Sequence, residues 1–162
     1  MRNVASLGTD EIISRVVGQY SAMLLKLAAT RLPCVSDAED AVQEVYLKLL
    51  DARPVFRDAE HEKAWLIRAT LHRAADIRRK RAREAPLDAV IEVDGGEEEP
   101  VSQLLTAVRA LPEKYASVIH LYYYEGYSIK EIAKLLGLNT ATVGTRLARG
   151  RERLRQMLKE DG

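Results

Sequence analysis

The sequence predicts an all-α protein of two small helical domains joined by a flexible acidic linker. Three observations predict it. Wherever a long hydrophobic pattern runs, apolar residues recur at helical spacing; a stretch without period, rich in Pro, Gly and acids, separates two such regions; and charge is distributed in blocks. Residues 1–83 hold 15 Lys/Arg against 11 Asp/Glu, residues 84–100 hold seven acids and no base, and residues 101–162 hold ten bases against six acids. The formal net charge of +1 thus conceals two mildly basic blocks flanking an acidic connector. A chain of 162 residues is long enough for two small cores, and the charge blocks divide it at 1–83, 84–100 and 101–162.

Composition also excludes several classes. The one cysteine, Cys34, rules out an internal disulfide and cannot hold a metal unaided; it reads as a small buried or half-buried thiol in a reducing compartment. No apolar run approaches the ~20 residues of a membrane span, and the start MRNVASLGTDEI lacks the apolar core of a signal peptide. The expectation is a soluble cytoplasmic protein with no membrane insertion.

In chain order, Thr9 with Asp10 and Glu11 reads as an N-cap and acidic first turn. Ile13, Val16, Val17, Tyr20, Leu24, Leu27 and Ala28 sustain a helix up to Leu32-Pro33. Ser36 and Glu39 read as a capping box opening a second helix. Its Val42, Val45, Tyr46 and Leu49 share one side; Asp40, Gln43, Glu44, Leu47 and Asp51 share the other. A leucine among acids and an amide is a poor core position. By pattern alone it reads either as a stray on a solvated face or as an anchor for a partner helix. A polar loop between Asp51 and Glu62 carries the chain's one Phe, Phe56. Lys63 to Arg83 returns to helix, with Trp65, Leu66, Ala69, Ala74 and Ile77 inward, and six of its last eleven residues are basic. That run reads equally as a solvated helix end and, following Arg68, His72 and Arg73, as a surface that tracks phosphates. Leu87, Val90, Ile91 and Val93 in the linker require no stable fold.

From Val101 onward, Leu104, Leu105, Val108 and Leu111 form a helical stripe, Pro112 opens the next helix, and Val118, Ile119, Leu121 and Tyr122 continue it. The tyrosines up to Tyr127 read as core and rim packing rather than a platform for bases. Ser128 with Glu131 is a capping box, Gly137 supplies a break at positive φ, and Asn139 or Thr140 caps the last helix. Val143, Leu147, Leu154 and Leu158 lie on one stripe of that helix, with Gly150 on the same stripe permitting close backbone approach. Thr142, Thr145, Arg149 and Glu152 face the other way, with Arg146 and Arg153 on the flank of that face. Two short helices around a Gly-containing turn, the second basic, form a helix-turn-helix whose second helix suits the major groove.

The order of these parts resembles bacterial sigma factors of the extracytoplasmic-function group of the sigma-70 family. The resemblance rests on DAEDAVQEVYLKLL, on WLIRATLHRAADIRRKRAR, on the acidic linker and on the block LPEKYASVIHLYYYEGYSIKEIAKLLGLNTATVGTRLARGRERLR, which together span nearly the whole chain. It implies a region 2-like domain at 1–83 and a region 4-like domain at 101–162. The partners it implies are core RNA polymerase, through the β′ clamp helices and the β flap, and promoter DNA; a dedicated anti-sigma factor is a further partner that it raises. By resemblance, Asp40, Gln43, Glu44 and Leu47 contact core polymerase. Phe56, Arg57, Asp58 and His61 form the loop that takes an unstacked −10 base, Arg68, His72, Arg73, Arg78 and Arg79 hold the duplex and melted strand, and Thr142, Thr145, Arg146 and Arg149 read the −35 element. His72 stands where the family often has asparagine, and Gly144 where Lys or Arg commonly follows the Val of the recognition helix.

The implied activity is promoter-directed initiation without catalysis by this chain. His61, His72 and His120 form no metal or nucleophile pattern with Cys34 or paired acids, so neither a catalytic site nor a cofactor is expected. A stand-alone helix-turn-helix regulator is the alternative. It would bind a two-fold operator as a dimer, and would leave the Asp40–Asp51 stripe without purpose. A recombinase or nuclease would need a nucleophile or acidic metal cluster that the first block does not offer.

Overall fold

The structure is a computed structural model that describes residues 4–84 and 100–160. The acidic stretch 85–99, including Leu87, Val90, Ile91 and Val93, lies outside the described residues. Every regular element described is helical: α1 (Val4–Ala29), α2 (Val35–Ala52), α3 (Ala59–Glu84), α4 (Pro100–Ala110), α5 (Glu113–Ile119), a π-helical turn (His120–Tyr124), α6 (Ile129–Leu136) and α7 (Thr140–Glu160).

The first three helices pack on one another because each carries an apolar stripe of the expected period. Val16, Tyr20, Leu24 and Leu27 of α1 meet Val42, Val45 and Leu49 of α2 and Leu66, Ile67 and Ala74 of α3, all buried. Two starts differ from expectation. α1 begins at Val4, so Thr9 lies within the helix; nothing in VASLG forbids helix, and one glycine costs only ~1 kcal/mol. α2 begins one residue beyond Cys34, the N-cap, whose side chain makes no capping bond. Ser36 is therefore inside the first turn, and the Ser36–Glu39 box does not form. The acid used in that turn is Asp37, buried and paired with Arg81 of α3.

α2 ends with Arg53 in the left-handed region (φ 45°), donating its N–H to Leu49 O at 3.0 Å, and Pro54 prevents resumption. The remaining connection to α3 is short, because residues up to Ala52 and from Ala59 are helical.

The later helices bury Val108, Leu111, Tyr115, Ile119, Leu121, Ile132, Leu135, Val143 and Leu147, which continue the apolar core begun by the first three helices. Gly150 sits against this core: a Cβ there would lie 3.0 Å from Ile119 Cγ1 and 3.3 Å from Tyr115 Cβ, so only glycine fits without displacement. The helix after Pro112 does not run on regularly. It widens at His120–Tyr124, closed by Glu125 N–H to His120 O at 3.2 Å, and turns Tyr122, Tyr123 and Tyr124 outward. Tyr122 therefore leaves the stripe in which its spacing placed it, and Val17, Leu104 and Leu158 are also substantially exposed.

Candidate nucleic-acid interface

The helix-turn-helix is fixed by local bonds. Glu131 N–H donates to Ser128 Oγ and Ser128 N–H to the Glu131 carboxylate, both at 3.1 Å, so the capping box closes in full. Because those bonds favour the charged carboxylate, Glu131 is held below its usual range. Gly137 takes φ 68° and ends α6, while Asn139 Oδ1 accepts from Thr142 N–H at 2.7 Å and caps α7. Val143 and Leu147 are driven into the core. That rotation leaves Thr145 and Arg149 exposed and Thr142 and Arg146 partly so, all toward one side of the helix. Arg153 lies 5.1 Å over the Tyr115 ring. Gly144 has open space where a side chain would stand.

The loop before α3 is ordered by its own polar groups. Asp58 accepts from His61 N–H at 2.8 Å and so caps α3; His61 Nδ1 accepts from Arg57 N–H at 3.1 Å. Phe56 lies edge-on to both His61 (centroids 5.4 Å apart) and Trp65 (6.0 Å), forming a half-buried aromatic wall beside exposed Arg57. The structure thus brings Phe56, Arg57, Asp58 and His61 together.

Along α3 the basic residues divide. Arg68 and His72 are exposed and form no ion pair among the described residues. Arg73 is paired with Glu44 of α2 and reaches Asp76 at 4.0 Å; Arg79 is paired with Asp76; Arg81 with Asp37. Arg78 is half-buried with its Nη1 unpartnered. On α2, Leu47 is 63% exposed, with Asp40 and Gln43 exposed beside it and Glu44 half-buried against Arg73. Leu47 is thus outside the core that claims Val42, Val45 and Leu49.

The two basic helices face a common cleft of about 760 Å³, with Arg68 and His72 on one wall, Lys134 and Arg146 on the other, and Leu71 and Leu135 among its apolar lining. Two polar bonds cross nearby: Arg31 Nη2 donates to Leu111 O at 3.4 Å, and Arg109 Nε to Ala29 O. Lys63 also sits 5.0 Å over the Tyr127 ring. Sequence reasoning missed Arg31 and Arg109, since nothing in a helical period signals a guanidinium turned inward at a helix end.

Among the described residues no group of three or more His, Cys, Asp or Glu is placed to hold a metal ion, and no helix is long and apolar enough to cross a membrane.

Comparison with known proteins gives a consistent result. Residues 16–84 match the family described as Sigma-70 region 2, and residues 102–154 that described as Sigma-70, region 4. RNA polymerase sigma factor SigV of Bacillus subtilis is 31% identical over 158 residues, covering 94% of this chain and 95% of the relative. ECF RNA polymerase sigma factor SigW of the same organism is 28% identical, covering 94% and 92%. Among solved structures, the sigma factor RpoE from Bartonella quintana, in complex with the anti-sigma factor NepR, superposes with a TM-score of 0.75 at 23% identity, covering 92% of this chain and 98% of the other. CnrH, in complex with the cytosolic domain of CnrY, does so with a TM-score of 0.71 at 23% identity, covering 94% and 91%. Two family regions in the right order, with a full-length relative of this identity, settle the assignment: the chain belongs to the extracytoplasmic-function group of the sigma-70 family of RNA polymerase sigma factors.

Proposed function

We infer that this chain binds core RNA polymerase in the cytoplasm and directs promoter-specific initiation by placing α3 and its loop at the −10 element and α7 at the −35 element. The observation that carries this reading is the coexistence of two unpartnered surfaces: a capped recognition helix presenting Thr142, Thr145, Arg146 and Arg149, and Leu47 exposed among acids on α2. A DNA-binding module alone needs only the first.

The division into 1–83, 84–100 and 101–162 follows from this reading, with the linker setting the reach between two weak DNA contacts. Bound to one polymerase, each contact raises the effective concentration of the other. Asp40, Gln43, Glu44 and Leu47 form the face for the β′ clamp helices, with Leu47 as apolar anchor. The exposed tyrosines of the π-helical turn suit the β flap. In the −10 loop, Phe56 and Arg57 meet the extruded base while Asp58 and His61 hold the loop in shape. Arg68 is the first cation available to the strand, with His72 beside it as a hydrogen-bonding group; Arg73, Arg78 and Arg79 join once their present contacts yield. The chain supplies binding energy for strand opening and performs no catalysis. The basic cleft also suits an acidic anti-sigma partner.

The test is co-elution with core polymerase and run-off transcription from a genomic fragment pool, beside a Leu47→Asp variant. Transcripts from shared start sites, lost in the variant with folding intact, are expected. Dimeric DNA binding without polymerase association would overturn the reading.

A further inference from the structure

The basic sides of α3 and α7 are turned toward each other. Arg68 and His72 of α3 stand on one wall of the 760 Å³ cleft, and Lys134 of α6 and Arg146 of α7 on the other. Arg146 is half-buried there. A cleft of that volume has room for a drug-sized molecule. A duplex is far larger, since its major groove alone is ~12 Å wide and is bordered by phosphates on both sides.

Contacts between the two blocks hold the walls in place. Arg31 Nη2, on the turn after α1, donates to Leu111 O at 3.4 Å, and Arg109 Nε of α4 donates to Ala29 O of α1. Lys63 of α3 lies 5.0 Å over the ring of Tyr127, just before α6. Buried side chains of both blocks belong to one apolar cluster. Charge works the other way: Arg68 faces Lys134 and Arg146, and Glu113 is the one acid in the lining among the described residues. Apolar burial and a few directional contacts therefore hold together two faces of like charge, which is an arrangement poised to open.

We propose that this arrangement is an autoinhibited form of the free chain, in which the two blocks mask each other's DNA-binding faces until they are drawn apart. The proposal rests on the assignment of α3 and α7 to promoter DNA and adds what the free chain does with those faces. With α7 seated in a major groove, one phosphate strand would run along its Arg146 flank, where the α3 wall of the cleft stands. A face open in only a fraction of molecules binds with its affinity reduced by that fraction. Off polymerase the chain thus holds DNA weakly, although its recognition helix is fully formed. Docking of the two blocks at separate places on the polymerase supplies the free energy that parts them.

Lys63→Gln and Arg109→Gln each remove a contact between the blocks without altering a residue that faces DNA. Binding of the full-length chain to a random-sequence duplex of about 20 base pairs, where phosphate contacts supply the affinity, is measured by anisotropy at one salt concentration. X-ray scattering gives the radius of gyration without DNA. Lys63→Gln should bind roughly 3-fold tighter than the parent. The double variant should bind at least ~10-fold tighter and show a larger radius. Loss of a cation ordinarily weakens DNA binding, so a gain marks a face released; Lys26→Gln, which removes an exposed cation of α1, should give no gain. Where the double variant fails to fold, Lys63→Gln decides. Binding no tighter than the parent's, an equal gain in Lys26→Gln, or an unchanged radius in the double variant would overturn the proposal. Run-off transcription with core polymerase should persist in both variants. Its absence from parent and variants alike, with the gain in DNA binding retained, would strike the sigma-factor reading and leave the masking in place.

Discussion

The two basic helices, α3 and α7, have similar sequences by charge count and different structures by charge availability. On α7 the four residues aimed outward make no ion pair among the described residues, and the pair that does form, Arg155 with Glu152 at 3.3 Å, lies beyond them. On α3, Arg73, Arg79 and Arg81 are each held by an acid, two of those acids being on α2, and Arg78 is turned partly inward. A cation already paired must give up its partner before a phosphate gains from it. The difference teaches that α7 is built as a preformed reader, whereas α3 is built as part of a bundle that also carries a nucleic-acid surface.

The largest expected effect concerns the seating of α7. Gly150→Leu drives a side chain into Ile119 and Tyr115 and should destabilise the later block by about 3 kcal/mol, lowering its thermal midpoint by roughly 15 °C. A midpoint within ~3 °C of the parent would mean that α7 is not seated through this glycine. Next comes the contrast itself. Arg146→Ala should weaken binding to a −35 duplex by about 2 kcal/mol, or ~30-fold, while Arg73→Ala should cost less than ~3-fold on a −10 fork substrate, because Glu44 already occupies that guanidinium. Fluorescence anisotropy at one fixed salt concentration measures both. Equal losses would erase the distinction between the helices.

Legibility in the sequence divides along the same line. Ser128, Glu131, Gly137 and Asn139 act within a few residues of themselves, so the turn, both caps and the outward set on α7 are readable from local pattern. Gly150 is readable because it falls on the apolar stripe. The status of the α3 arginines is not, since their partners Glu44 and Asp37 approach only when α2 packs on α3. The start of α2 departs from the sequence pattern for a related reason: the backbone after Pro33 lets Cys34 cap without a side-chain bond, and Asp37 is claimed by Arg81. Arg31 is invisible to sequence because a guanidinium at the end of a helical pattern ordinarily faces water. The π-helical turn that exposes three tyrosines has no signature in a 3.6-residue period.

The first block's own electrostatics give a smaller effect. Arg15 donates to both carboxylate oxygens of buried Glu62, at 2.8 and 2.6 Å, tying α1 to the start of α3. The Arg15 hydrogen bonds hold Glu62 below its ordinary value of 4.5, so the stabilisation is present above pH ~4.5 and disappears as the pH falls through the lower folded value. Glu62→Gln should cost about 1–2 kcal/mol at pH 7, moderated by solvent around half-exposed Arg15, and the gap from the parent should narrow below pH ~4.5. Urea melts at pH 7 and pH 3.5 measure it. A gap that stays constant with pH would remove the ion pair from the account.

The smallest effect is the sharpest comparison, because it sets two glycines of one helix against each other. At Gly144 of α7 an added methyl would meet nothing within 4 Å, whereas Gly150 has no room to spare. Gly144→Ala should therefore stabilise by about 0.5–1 kcal/mol through backbone entropy, the reverse of the change at Gly150. Gly144→Lys keeps most of that gain and places a cation beside Arg146 and Arg149. If this face lies on DNA, its affinity for a −35 duplex should rise and its logarithmic salt dependence steepen by about one counterion. A stabilised variant with an unchanged salt slope would show that position 144 faces away from the phosphates, and would rotate the inferred reading face toward Thr142 and Thr145.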